Sequence, residues 1–217
     1  MDRPTAPAPA PAPAIELVEQ DGEVTLSIGG EQAMQAWERD LMWASADMLC
    51  EYGGKHGGEF YEVGLGLGLS ALRIARNPAT RRHTVLELFG EVEDLFRARN
   101  PDLPDTLAIE RGDFFQRIFE LPSESVDGMF FDPALDMEVW ADRELWERTM
   151  PEVVRVLRPG GVFIPFFSTR PELRWQYLPH FRTIRVERRP FTAYDTTAYT
   201  YGTSGDAYIQ CFRKDED

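Results

Sequence analysis

The chain has 217 residues, enough for one good-sized core, and nothing in it suggests a second domain. Lys and Arg total 23 against 37 Asp and Glu, a formal charge of −14, which argues against a nucleic-acid partner because such binding rests on clustered positive charge. The same balance is compatible with a cationic small substrate, and equally with an acidic surface that only keeps the protein soluble.

Cys50 and Cys211 lie far apart in regular segments and read as buried thiols rather than a disulfide or metal pair. His56, His83 and His180 have no ligand spacing among them, so no metal site is expected. No apolar run reaches transmembrane length and the N-terminus lacks a basic-then-apolar leader, so no membrane partner and a cytoplasmic location are expected.

In chain order, residues 1–14 alternate Pro and Ala, which forbids a helix and supplies too little side chain for a core; a disordered, solvated tail is expected. Residues 15–217 read as one domain. IELVEQDGEVTLSIGG alternates apolar and polar residues around Asp21-Gly22, a hairpin signal. EQAMQAWERDLMWASADMLCEYGG then carries apolar residues at Met34, Trp37, Leu41, Met42, Met48 and Leu49, which fit one or two helices ending at Gly53-Gly54. Residues 15–54 thus form a hairpin and helical lid ahead of a core at 55–217. Glu38 lies in the helical stretch beside Trp37, where a solvated helix face is the plain reading.

FYEVGLGLGLS (Phe60 to Ser70) breaks a short apolar run with Gly64, Gly66 and Gly68, and a helical pattern follows. Strand, glycine turn and helix in this order let backbone approach a ligand closely beside free helix N–H groups. A second apolar run, TVLEL, ends at Glu87, where an acid can hold ribose hydroxyls. FGEVEDLFRARN is a helix closed by Asn100-Pro101. A third strand, Leu107 to Glu110, leads to Gly112-Asp113-Phe114, and a fourth runs through VDGMFF into Asp132-Pro133. Residues 137–157 are helical up to a turn at Arg158-Pro159-Gly160-Gly161, and GVFIPFFST is a fifth strand. Two further strand-like runs flank a stretch rich in Tyr, Thr and Gly, which suggests an antiparallel end to the sheet. Strands alternating with helices predict an α/β fold with a Rossmann-like, doubly wound, mostly parallel sheet.

Glycine turns of this kind also occur in dinucleotide oxidoreductases, but the spacing here is G-x-G-x-G, with Glu62 ahead of the first glycine, rather than G-x-G-x-x-G. With V-D-G-M-F-F-D and the later L-R-P-G-G-V, the order of motifs resembles the class I S-adenosylmethionine-dependent methyltransferases from about residue 31 onward. M-Q-A-W-E-R-D-L-M (Met34 to Met42) further resembles the M-x-x-W-E-x-x-x-M signature of guanidinoacetate N-methyltransferase and of the related family that methylates the delta nitrogen of arginine. F-F-D-P-A-L (Phe130 to Leu135) stands where those enzymes carry Y-D-T-Y-P, and F-S-T-R-P-E-L (Phe167 to Leu173) where they carry L-T-S-W-G-E-L.

The resemblance implies S-adenosyl-L-methionine as cofactor, with backbone around Gly64, Gly66 and Gly68 near its methionine part and Glu62 close by. It implies Glu87 at the ribose, Asp113 and Phe114 at the adenine, and Met34 and Met42 lining the cofactor. It also implies Glu38 and Asp132 on a guanidino group, Trp37 beside them, and Ser168 and Thr169 at the substrate. Arg170 replaces the family's tryptophan and would suit a substrate carboxylate, or lie on the surface. The aromatic residue that follows the aspartate in the family is absent, and D-P-A-L loosely resembles the D-P-P-Y of adenine N6-methyltransferases, though no basic stripe accompanies it. Two carboxylates suit a guanidinium because each can take a parallel pair of N–H bonds, and one must accept a proton as the nitrogen attacks. The expected partner is a small guanidino or amine compound, and the assembly a monomer or homodimer. The open alternatives are a protein arginine, another amine or hydroxyl acceptor, a nicotinamide oxidoreductase, and a non-catalytic binding protein of the same fold.

Overall fold

A computed structural model describes residues 13–54 and 57–216. The tail expected at 1–14 lies outside these residues up to position 12.

The chain begins with a small antiparallel sheet of β1 (Ile15–Gln20), β2 (Glu23–Ile28) and β3 (Glu31–Gln35). Asp21 and Gly22 both take positive φ, 54° and 85°, as a two-residue turn matching strand twist requires. The helix expected from residue 31 is therefore a correction: Glu31–Gln35 pairs with β2, with Leu26 opposite Met34. Helical spacing lost to the ladder of backbone bonds that β2 offers, a tertiary override of local pattern. A single 3-10 turn at Ala36–Glu38 follows, and only then α1 (Arg39–Gly53).

The core sheet is built from β4 (Glu59–Val63), β5 (Arg82–Glu87), β6 (Leu107–Arg111), β7 (Val126–Phe131), β8 (Leu157–Pro165), β9 (Thr183–Thr192) and β10 (Ser204–Arg213). Their order is β6-β5-β4-β7-β8-β10-β9, parallel except at β10, which runs antiparallel to both neighbours. Between strands lie α2 (Leu69–Ala75), α3 (Gly90–Arg99), α4 (Phe114–Arg117), α5 (Met137–Ala141) and α6 (Arg143–Val156). The expected long helix at 137–157 is split at Asp142, whose carboxylate accepts the Leu145 N–H and caps α6. The Arg158–Gly161 turn is instead a bulge within β8: Val126 pairs Leu157 while Gly128 pairs Val162.

Both faces of the sheet are covered, and every residue of β7 is buried. One cluster packs α1 against Phe130, Ile164 and Ile209; another packs Trp146, Met150 and Val153 of α6 against Phe131 and Phe163. Burying a side chain such as Phe131 is worth about 1.5–3 kcal/mol, and this fixes the strand end from which Asp132 projects. Chain order reverses at β4, with β5 on one side and β7 on the other. Ligands of doubly wound sheets bind at the carboxyl edge of such a switch point.

Candidate active site

At that edge the loop after β4 meets the residue after β7. The Asp132 N–H donates to the Val63 carbonyl at 2.9 Å. Gly64 has φ +89°, and a Cβ there would lie 2.4 Å from the Asp132 carbonyl oxygen, so only glycine allows the two strand ends this approach. Gly68 caps α2 in the left-handed region, against the Phe96 ring. Gly66 lies under the Met34 thioether, whose Sδ accepts the Leu67 N–H at 3.3 Å, while the Gly66 amide has no acceptor among the described residues. Met34 thus reaches the glycine turn from β3, and Met42 is buried on α1.

The acids at this edge differ in how far they are already engaged. Glu62, fully buried, accepts from Ser70 Oγ and lies 3.0 Å from His83 Nε2, tying β4 to α2 and β5. Glu87 accepts the Leu65 and Phe89 N–H groups at 2.8 Å, one oxygen each; burial raises its pKa against those two bonds. Each oxygen keeps a second lone pair for another donor. Asp113 caps α4 through the Phe115 N–H at 2.9 Å and also takes Gln116 Nε2 at 3.2 Å. Phe114 is buried edge-on to Phe131, with centroids 4.9 Å apart.

Glu38 and Asp132 are brought together from different layers. Glu38, from the 3-10 turn, is buried and does not lie on a solvated helix face. Its Oε1 accepts the Gln35 N–H at 2.7 Å and the Tyr199 hydroxyl at 2.5 Å. Burial outweighs both bonds and lifts its pKa to about 7. Desolvation also raises Asp132 well above the usual carboxylate range, helped by the charges of Glu38 and Glu62 and opposed by Arg174. A bound cation would relieve two carboxyls whose ionised forms are penalised in this way. Trp37 adds an aromatic wall: its ring lies 6.0 Å from Phe167, 5.6 Å from Phe191 and 6.3 Å from Tyr199, stacked on the last.

Ser168 is buried, bridges to Tyr208 and accepts the Arg170 N–H at 3.1 Å. Thr169 Oγ1 accepts the Tyr201 N–H at 3.5 Å. Arg170 is exposed and stands over the Tyr201 ring rather than beside the acidic pair. Two residues that sequence reasoning missed stand closer: Tyr199, on Glu38, and Arg174, whose charge reaches Asp132. The only signal for Tyr199 was the stretch of Tyr, Thr and Gly between the last two strands; Arg174 had none. Two surface concavities, of about 360 and 630 Å³, lie away from the pair; the larger borders the glycine turn at Leu67–Leu69.

This sheet order and glycine turn are those of the class I S-adenosylmethionine-dependent methyltransferase fold. Solved structures with the same fold include spermidine synthase from Thermotoga maritima, 15% identical, with a TM-score of 0.69 over 97% of this chain and 72% of that one. Precorrin-6y C5,15-methyltransferase from Geobacter metallireducens GS-15 is 14% identical, with a TM-score of 0.54 over 81% of this chain and 88% of that one. No curated protein matches the sequence. The chain belongs to the guanidinoacetate N-methyltransferase family, whose model matches residues 14–170. Among the described residues no helix is long and apolar enough to cross a membrane.

Proposed function

We propose that the protein transfers a methyl group from S-adenosylmethionine to a guanidino nitrogen of a small metabolite. The observation that carries this reading is that Glu38, buried and held by Gln35 and Tyr199, and Asp132, at the strand end against the glycine turn, lie within electrostatic reach of each other.

The residues present fit the cofactor. The Gly66 amide is unbonded, Glu87 keeps lone pairs for ribose hydroxyls, and the acidic surroundings favour a sulfonium. The Gly64–Gly68 turn, Met34 and Met42 would hold the methionine side, Glu87 the ribose, and the Asp113–Phe114 corner the adenine; Glu62 acts from behind by fixing Ser70 and His83. When bound, the cofactor supplies a methyl already activated by positive sulfur.

The protein then positions the acceptor and handles its proton. Glu38 is held by Gln35 and Tyr199, so its role is to clamp the guanidinium plane and neutralise it. Asp132 sits at a strand end against the glycine turn and takes the proton as the nitrogen attacks. Closed in by Trp37, Ser168 and Thr169, the acceptor is set for in-line approach, which supplies most of the acceleration. A second reading keeps methyl transfer but gives it to an aliphatic ammonium, favoured by the Trp37 and Tyr199 rings, which suit any organic cation.

The test is to incubate the protein with methyl-labelled cofactor and panels of guanidino compounds, aliphatic amines and hydroxyl compounds. The expected result is a singly methylated guanidino product. Methylated amine alone, or no product despite cofactor binding, would overturn the guanidino assignment.

A further inference from the structure

Arg174 lies in the segment between β8 and β9, half-buried, and sequence reasoning gave it no role. Its guanidinium carbon stands 4.1 Å from the Phe166 ring centroid and 4.6 Å from that of Trp140. The two rings meet at 5.7 Å and form a shelf for it. That shelf is fastened to the strand end carrying Asp132: the Phe166 N–H donates to the Phe131 carbonyl at 2.8 Å, and the Trp140 ring lies 6.4 Å from the Phe131 ring. Other half-buried arginines are satisfied at once by a carboxylate, as Arg158 by Asp127 at 2.8 Å and Arg155 by Glu152 at 2.6 Å. The Arg174 guanidinium makes neither ion pair nor hydrogen bond among the described residues. Apart from the two rings, it feels Tyr177, Glu172 and Asp132 only at a distance.

A guanidinium held against two aromatic rings, with its N–H donors unspent, is preorganised for a planar anion. Lying within electrostatic reach of Asp132, it sets a positive end opposite the acidic pair. We propose that Arg174 is a specificity-determining residue that takes a carboxylate at the far end of the substrate. The contact comes from outside residues 14–170, the part of the chain that the family model matches. This rests on the guanidino reading above. Arg170, over Tyr201 and exposed, does not take this role.

The test uses the full chain with short straight-chain guanidino acids, each beside its neutral primary amide. For the wild type, kcat/KM for the best acid is expected to exceed that of its amide by about tenfold or more. Arg174→Met keeps an apolar stem between the rings and removes the fork. It is expected to raise KM for the acid by about 10- to 100-fold, the range for a lost charge-assisted bond, with a much smaller change for the amide, so that the preference for the acid collapses. Arg174→Lys restores charge without the fork and recovers only part of the loss. Equal turnover of acid and amide by the wild type overturns the proposal. So does an Arg174→Met variant that weakens both alike, because Arg174 would then act only through Asp132. Failure of the guanidino reading looks different: neither acid nor amide is methylated by any form.

Discussion

Glu38 and Asp132 share a chemistry but not a setting. Glu38 is anchored by a backbone N–H and a tyrosine hydroxyl, so its carboxyl is held in one orientation. The Asp132 carboxyl accepts no hydrogen bond among the described residues; burial and the charges of Glu38 and Glu62 favour its protonated form, and Arg174 opposes them. Once bound cations hold it ionised, a carboxylate in such surroundings keeps a high basicity and can take a proton. Asp132→Asn keeps the shape and removes both charge and basicity. Turnover should fall by about 10²- to 10⁴-fold while calorimetry shows cofactor affinity nearly unchanged. Normal turnover in that variant would remove Asp132 from the mechanism.

At the scale of elements, the candidate site rests on a clasp between the small sheet of β1–β3 and the far end of the core sheet. The stretch from Ala193 to Thr203 joins β9 to β10 and reaches back onto β3. Thr197 Oγ1 donates to Gln35 Oε1 at 2.5 Å, Ala198 N–H to Gln32 Oε1 at 2.8 Å, and the Tyr199 hydroxyl to Glu38. Tyr199→Phe leaves the ring on Trp37 and deletes one bond to a charged group, worth about 1.5–3 kcal/mol. The acceptor KM should rise about tenfold or more, with the melting temperature lowered by only a few degrees; an unchanged KM would show that the clasp does not shape the site. Here the sequence reading also meets its limit. The Asp21-Gly22 hairpin, the glycine turn, the β/α alternation and the W-E and F-F-D pieces were legible because each is written in neighbouring residues. β3 was misread because its state is decided by pairing with β2 and not by its own spacing. Tyr199 and Arg174 were invisible because each acquires its role through contacts far off in sequence, Tyr199 with Glu38 161 positions away. Both also lie beyond residue 170, where the family match ends.

Across the whole molecule, the acidic excess of −14 is spread over the chain, and its costliest part is held inside. The 3-10 turn after β3 contributes Glu38 and the end of β7 contributes Asp132, so a cation bound between them would tie the two layers together. The sign of the coupling is fixed by the raised pKa of Glu38, from 4.5 to about 7. Below the lower value Glu38 is protonated folded or unfolded and costs nothing. As pH rises through the higher value the folded protein must ionise it in a dry site, and that stability is lost. A guanidinium bound there favours the ionised form and so expels protons wherever the free site still holds them. Calorimetric titration of the best guanidino acceptor onto the protein loaded with S-adenosylhomocysteine, repeated in buffers of different ionisation enthalpy, reads this directly. The account predicts binding with net proton release near pH 6, and less release at about pH 8.5. Absence of binding, or binding near pH 6 with no proton released, would contradict it.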